Sequence, residues 1–430
     1  MRVRTDAAKL SPKTSKELTK ALKGLKAKMT TAPDGSPISV YDSFVAIHLG
    51  MTRLRKNGQV LAGAARNGGH NNAAFLPWHR EYLLRVEREL QIVANNPDLS
   101  IPYWDWTDGD GTFDKIFVNA FLGGDGTGPQ EGPGRKVAAS HPFSKNKGWP
   151  IDPRVHVFRL HLPDQWGDTL RRALGTRQGL PTREAVEALF DPDKDQYEDF
   201  RGALEGGPRL HNAMHEWVAG SMLDMSSPND PIFMLNHSNI DRLWALWQSY
   251  GHAGESNYPD QGEPQGHNLN DPLWPWNGGN SGIETRPDIW DLVPRNTDRV
   301  EPAHVLDCRT LGYTYVVWSR VKEILDKAID AWRQERPNIP PHTSNEDILK
   351  IHDDNFGWSS LEKLRDSTAL GIRLIEPNKV GNNRGFETNL VRALREGIPG
   401  VAPRMPKGGP FLSNLEIAEI AHWIDSGMPE

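Results

Sequence analysis

The chain has 430 residues, of which 25% are charged and 37% hydrophobic, and a net charge of −6; this suits a globular protein long enough for two domains and a large core. The charge argues against nucleic acid as the main partner, because phosphate binding needs a basic surface. A single cysteine, Cys308, excludes an intrachain disulfide and leaves little scope for a thiolate metal site.

From the N-terminus, Met1-Arg-Val-Arg-Thr-Asp6 lacks the apolar stretch of a signal peptide, so the chain is expected to be cytoplasmic by default, with export by a partner left open. No apolar run of about 18 residues occurs, so no membrane association is expected. Nine Lys and Arg between Arg2 and Lys28 stand against Asp6 and Glu17. They read as the solvated face of a helix, and Ser11-Pro12 marks its start as N-cap and first helical residue. Residues 38–56 carry Val40, Phe44, Ile47, His48 and Met51 at helical spacing. The stretch 57–72 reads as a Gly- and Asn-rich loop, 78–95 as a helix, and 107–150 as a long irregular connection.

Helices are predicted near 182–190, 210–219 and 236–250, then a loop-rich region over 251–300. A strand is predicted from Tyr313 to Trp318, with a helix over 319–333. The proline-rich Arg336-Pro-Asn-Ile-Pro-Pro341 is the expected boundary between a domain at 1–335 and a smaller helical one at 336–430. In the latter, Ser413 and Glu416 fit a capping box ahead of a helix with Ile417, Ile420 and Ile424 on one face. The expected class is mainly α. Most of the fifteen tryptophans are expected to be ordinary core.

Chemistry concentrates in the histidines. His211 and His215 are four apart and project from one helix face. His237, 22 residues later, shares a stripe with Ile240, Trp244 and Trp247. His79 shares one with Leu83, Val86 and Leu90, and His48 one with Phe44 and Met51. His70 lies in the loop before His79. A lone histidine on an apolar face is usually a satisfied core residue. Four helices each aiming imidazole inward would instead leave buried nitrogens needing partners, which a metal resolves. Imidazole-only ligation leaves zinc, copper, nickel and iron open. His211-Asn-Ala-Met-His215 lacks the glutamate of an H-E-x-x-H zinc protease, which weakens a hydrolase reading.

Phe75-Leu-Pro-Trp-His-Arg80 with Glu81-Tyr-Leu-Leu84, and Pro102-Tyr-Trp-Asp-Trp106, resemble the first copper motif of tyrosinases and its sequel. Ser227-Pro-Asn-Asp-Pro-Ile-Phe233 and Asn236-His-Ser-Asn-Ile-Asp-Arg-Leu-Trp244 resemble the second. The resemblance covers roughly 1–320. It implies a four-helix bundle housing two copper ions, with long irregular loops. The first copper would be held by His48, His70 and His79, and the second by His211, His215 and His237. Dioxygen would be the co-substrate and a phenolic small molecule the substrate. Monophenols would be hydroxylated and o-diphenols oxidised to o-quinones. Glu205 and Asn212 match the pair that holds a catalytic water in such enzymes; a surface glutamate is the plainer reading of Glu205. Glu216, Met225 and Phe233 are assigned to substrate binding, with an exposed helix glutamate as the alternative for Glu216. Asp241 is read as a support for the ligands or as half of a surface Asp–Arg pair. Tyr313-Thr-Tyr315 resembles the family's paired-tyrosine motif, with Arg4 as its expected partner. A copper chaperone and a homo-oligomer are the further partners considered.

The resemblance leaves other outcomes open: a catechol oxidase or o-aminophenol oxidase without monophenol activity, and a haemocyanin-like oxygen carrier. Beyond the core, Arg404-Met-Pro-Lys-Gly-Gly-Pro-Phe-Leu-Ser413 resembles the end of small cytochrome c domains. No C-x-x-C-H motif is present, so covalent haem is excluded and a haem-free remnant is implied. Its expected role is a lid over the copper site or a brace for the core.

Overall fold

The structure, a computed structural model, describes residues 1–430 except 133, 157–166, 207–209, 263–266, 280–281 and 341–342. Helix α1 (Pro12–Ala27) starts as expected, with Ser11 Oγ accepting the Thr14 N–H at 3.1 Å. Leu18, Ala21, Leu22 and Leu25 face inward while most of its lysines face water. Lys26 is the exception, buried and paired with Asp42.

Helix α2 (Val40–Gly50) is shorter than its apolar spacing suggested. At Gly50 a Cβ would come within 2.9 Å of the Trp274 ring. Beyond it the chain turns through Met51–Arg53, and Arg55–Lys56 pairs with Gln59–Val60 and Ile283–Glu284 as strand. Helix α3 (Phe75–Ala94) begins three residues before its expected start. Pro77 sits in the first turn, where its missing N–H costs nothing. Asn95 closes α3 in the left-handed region, at φ 50°.

Helix α4 (Tyr197–Gly206) was not anticipated. Helix α5 (His211–Val218) matches its expected place. Helix α6 (Ile232–Trp247) begins ahead of the expected 236, so His237 lies within the helix and not at its start. Helices α2, α3, α5 and α6 converge through their histidine and aromatic rings, and α1 packs against α3.

Only Tyr313–Thr314 of the expected strand is extended in a ladder. These residues (β2) pair in parallel with Arg2–Val3 (β1), and helix α7 (Trp318–Gln334) follows. Burial of Tyr315 and Val316 accounts for the rest of the apolar run. Later come α8 (Asn345–Lys350), α9 (Asn389–Arg395) and α10 (Asn414–Asp425). Helix α10 opens with the predicted capping box of Ser413 and Glu416. One hydrophobic core runs continuously from Ala7 to Ile424, so the last helix shares the interior of the bundle. Among the described residues, no helix is long and apolar enough to cross a membrane.

Candidate metal centre

Helix α2 presents His48, the loop before α3 presents His70, and α3 itself presents His79. Helix α5 presents His211 and His215 on one face, and α6 presents His237. They gather into two triads, His48/His70/His79 and His211/His215/His237. Within each triad one ring nitrogen per histidine lies within 4.8 Å of the others. Backbone carbonyls take the second nitrogen in four cases. Nδ1 of His48 donates to Met225 O at 2.7 Å, that of His79 to Phe75 O at 2.8 Å, that of His215 to Met222 O at 2.7 Å, and that of His211 to Glu205 O at 3.4 Å. A ring that donates through Nδ1 keeps its lone pair on Nε2. Those four Nε2 atoms are buried and without a protein partner. Both nitrogens of His237 are likewise unpartnered.

Buried polar nitrogens left this way are costly unless something binds them. Burial also keeps the rings neutral. It lowers His48 to about 3 and His215 to about 4, and holds the other four well below the usual histidine range. Neutral imidazoles with carbonyl-fixed tautomers are the form a divalent metal requires. Ring packing fixes their orientation. Phe233 stacks on His237 with centroids 4.1 Å apart, His79 stacks on His237 at 4.2 Å, and Phe75 lies 4.9 Å from both His79 and His211.

The triads open onto a cavity of about 490 Å³. His48, His70, His211 and His215 line it, together with Glu205, Asn212, Glu216 and Met225. Phe233 is fully buried against the imidazoles. Glu205 is buried at the end of α4, which overturns the surface reading. Its Oε1 accepts the Asn71 N–H at 2.6 Å and its Oε2 the Arg201 Nη1 at 2.9 Å. Burial pushes its carboxyl up to about 7, against the pull of the Asn71 N–H and Arg201. Glu216 is half-buried and accepts a hydrogen bond from Gln178 at 3.1 Å.

Arg201 and Gln178 were not singled out in the sequence. Arg201 lies four residues before Glu205, so recognising α4 would have exposed the pair. Nothing local marks Gln178. All the lining residues lie between 48 and 227, and residues 336–430 contribute none among those described.

Asp241 is neither a support for the ligand histidines nor a surface partner. It is buried and takes hydrogen bonds from Arg4 at 3.1 Å, Tyr313 at 2.6 Å, and from Arg80 and Tyr315. Arg4 meets Tyr315 at 3.1 Å, as expected, and its guanidinium lies 3.8 Å above the Tyr313 ring. This cluster ties the segments of β1 and β2 to α3 and α6.

Residues 38–250 match the family model described as the common central domain of tyrosinase. A tyrosinase of Streptomyces glaucescens is 39% identical over 250 residues, covering 55% of this chain and 82% of that protein. Grixazone synthase of Streptomyces griseus subsp. griseus is 36% identical over 274 residues, covering 55% and 84%. In fold, the chain is similar to a polyphenol oxidase from Thermothelomyces thermophila, with a TM-score of 0.52 at 22% identity, over 74% of this chain and 89% of that one. Two imidazole triads facing one another within a helical core, in a chain of this family, are the donor set of a type-3 binuclear copper protein. The chain belongs to the tyrosinase family and is a copper oxidoreductase of that family.

Proposed function

We propose that the chain is a tyrosinase in the full sense, hydroxylating monophenols at the ortho position and oxidising the resulting o-diphenols to o-quinones. His48, His70 and His79 would hold one copper, and His211, His215 and His237 the other. When bound, the copper pair supplies the two electrons that reduce dioxygen.

The protein's own part is to position the phenol and take its proton. A phenol's pKa near 10 makes loss of that proton unfavourable at neutral pH. A base placed within hydrogen-bond reach solves this. The observation that carries the reading is that Glu205 and Asn212 line the same cavity as His211 and His215. A water between their side chains would accept the phenol proton beside the metal. Glu216 and Met225 flank the cavity and would meet the substrate's substituents, while Phe233, stacked on His237, would hold that ring for both metal and substrate.

A second reading has its own support. Arg201 and the Asn71 N–H already engage the Glu205 carboxylate, which favours an oxidase restricted to o-diphenols or o-aminophenols. Oxygen uptake by the copper-loaded protein with a monophenol and its matching o-diphenol decides between them. Uptake with both is expected; uptake with the diphenol alone would establish the second reading.

Residues 336–430 would brace the core rather than cover the cavity. Helix α10 bonds to α6 through Glu419 and to β2 through His422, and the copper cavity has no wall from this segment among the described residues.

A further inference from the structure

One stretch of the copper-cavity wall comes from the segment between His48 and His70, and it carries Arg53, Val60 and Arg66. Backbone bonds hold that segment to itself. The Leu54 N–H donates to Arg66 O at 2.8 Å, the Leu61 N–H to Leu54 O at 2.9 Å, and the Gly68 N–H to Met51 O at 2.8 Å. Arg55 pairs with Val60 across a hairpin whose turn residues Asn57 and Gly58 take φ 52° and 77°. The Leu54–Arg66 bond therefore brings Arg66 beside the residue that follows Arg53.

Arg53 and Arg66 are both exposed. Among the described residues, neither guanidinium has an ion pair or a hydrogen bond. The acids that line the same cavity are engaged: Glu205 by Arg201 and the Asn71 N–H, Glu216 by Gln178, and Asp224 by the Met225 N–H. The charged groups left free to meet a ligand are the two guanidiniums. An arginine on an open surface is ordinarily just solvated. Two unpaired ones on the wall of one cavity are placed to meet what enters it.

Their place at the rim sets the shape of the ligand. Glu216 is half-buried next to His215 of the second triad, whereas Arg53 and Arg66 are exposed. A carboxylate attached directly to a phenol ring at the triads would face Glu216. One carried outward on a flexible tail would reach the arginines instead. Val60, 41% exposed in the same wall, offers apolar surface to the methylenes of such a tail. A planar carboxylate matches the guanidinium fork. A single negative charge suits the site better than a dianion, because Glu216 and Asp224 share the cavity.

We propose that Arg53 and Arg66 are specificity-determining residues that select phenols bearing a flexible tail ending in a carboxylate, the arylalkanoates. This selection rests on the cavity's role as a phenol site and adds to it the substrate class. The ring enters toward the triads and the carboxylate stays at the rim. The tail takes no part in the bond changes at the ring, so the arginines act on substrate affinity and not on the chemical step.

The test is a calorimetric titration of the copper-loaded full chain without oxygen, so that binding is read whether or not turnover follows. The probes are the o-diphenols dihydrocaffeate and protocatechuate, each beside its methyl ester. Dihydrocaffeate should bind about tenfold more tightly than its ester, from about two- to fivefold per exposed guanidinium–carboxylate pair. Protocatechuate, with its carboxylate on the ring, should gain little over its ester. Arg53→Gln and Arg66→Gln together should bring the dihydrocaffeate acid-to-ester ratio to about one. Arg53→Lys and Arg66→Lys together should keep part of the preference, and about 0.5 M salt should shrink it. Taking the ratio cancels general damage to the cavity, and metal analysis checks that the copper is held. With oxygen present, the advantage of the acid should appear in KM and not in kcat. Equal constants for dihydrocaffeate and its ester in the wild type would overturn the proposal, as would a ratio that survives the double glutamine variant. An equal advantage for protocatechuate would also overturn it, by placing the charge recognition at the metals. The expected ratio without any oxidation would support the selection by the arginines and count against the phenol-oxidase reading alone.

Discussion

Arg242 on α6 and Glu419 on α10 meet at 2.6 Å in the interior, 177 positions apart in the chain. Arg320, at the start of α7, reaches the other oxygen of the same carboxylate at 2.7 Å. Helix α6 also carries His237, so the last helix is bonded to an element of the copper site.

Removing that carboxylate leaves a buried guanidinium without its counter-charge. Glu419→Ala should cost about 3–5 kcal/mol of folding stability, measured by denaturant unfolding. A loss under 1 kcal/mol would mean that α10 is not braced this way.

The same carboxylate sets an acid limb. Burial opposes its charge, but Arg320 and Arg242 outweigh burial and hold Glu419 down at about 2. Its unfolded value is about 4.3. A depressed carboxylate contributes stability above the unfolded value and loses it as pH falls toward the folded one. The wild type should therefore lose stability between about pH 4.3 and 2 more steeply than Glu419→Gln. Parallel profiles for the two proteins would refute the assignment.

Copper should stabilise the fold, because the unpartnered nitrogens of the triads have no other ligand in the described structure. At free copper 100-fold above its dissociation constant, the gain is about 2.7 kcal/mol per site. It would appear as a rise in the unfolding temperature that a chelator reverses. His79→Ala should lower the bound copper from about two ions per chain to about one, checked by metal analysis.

If Glu205 and Asn212 hold the proton-accepting water, their replacement should separate the two activities. Asn212→Ala and Glu205→Gln should slow monophenol hydroxylation by about 100-fold and leave o-diphenol oxidation within a few-fold. Equal losses on both substrates would point to disturbed copper binding.

At the cavity entrance, Glu216 presents a half-buried carboxylate held by Gln178. Glu216→Gln should lower KM for carboxylate-bearing phenols by about two- to fivefold, the scale of a partly exposed charge, with neutral phenols unaffected. An equal change for both would remove the electrostatic role.

The helical histidines of the site were legible because they obey a local rule, whereas His70, in a loop, was placed only through the family resemblance. His211 and His215 share a helix face through the 3.6-residue period, and His79 and His237 sit on apolar stripes that can only face inward. Ser11 and Ser413 announced their helices because capping uses neighbouring atoms. Helix α4 was missed because only Tyr197, Phe200 and Leu204 mark its inner face amid a charged stretch. With it went Arg201, the partner of Glu205.

The sequence by itself determined the inward-facing histidines of the helices, the mainly helical class and the family. All three rest on periodicity and on contiguous motifs, which are properties of neighbours along the chain. Only the tertiary structure decided that Asp241 is buried between Arg4 and Arg80, that α10 shares the core with α6, and that Arg53 and Arg66 line one cavity with Glu216. Those outcomes join residues tens to hundreds of positions apart, and hydrogen bonding, ion pairing and burial act through space without leaving a local pattern.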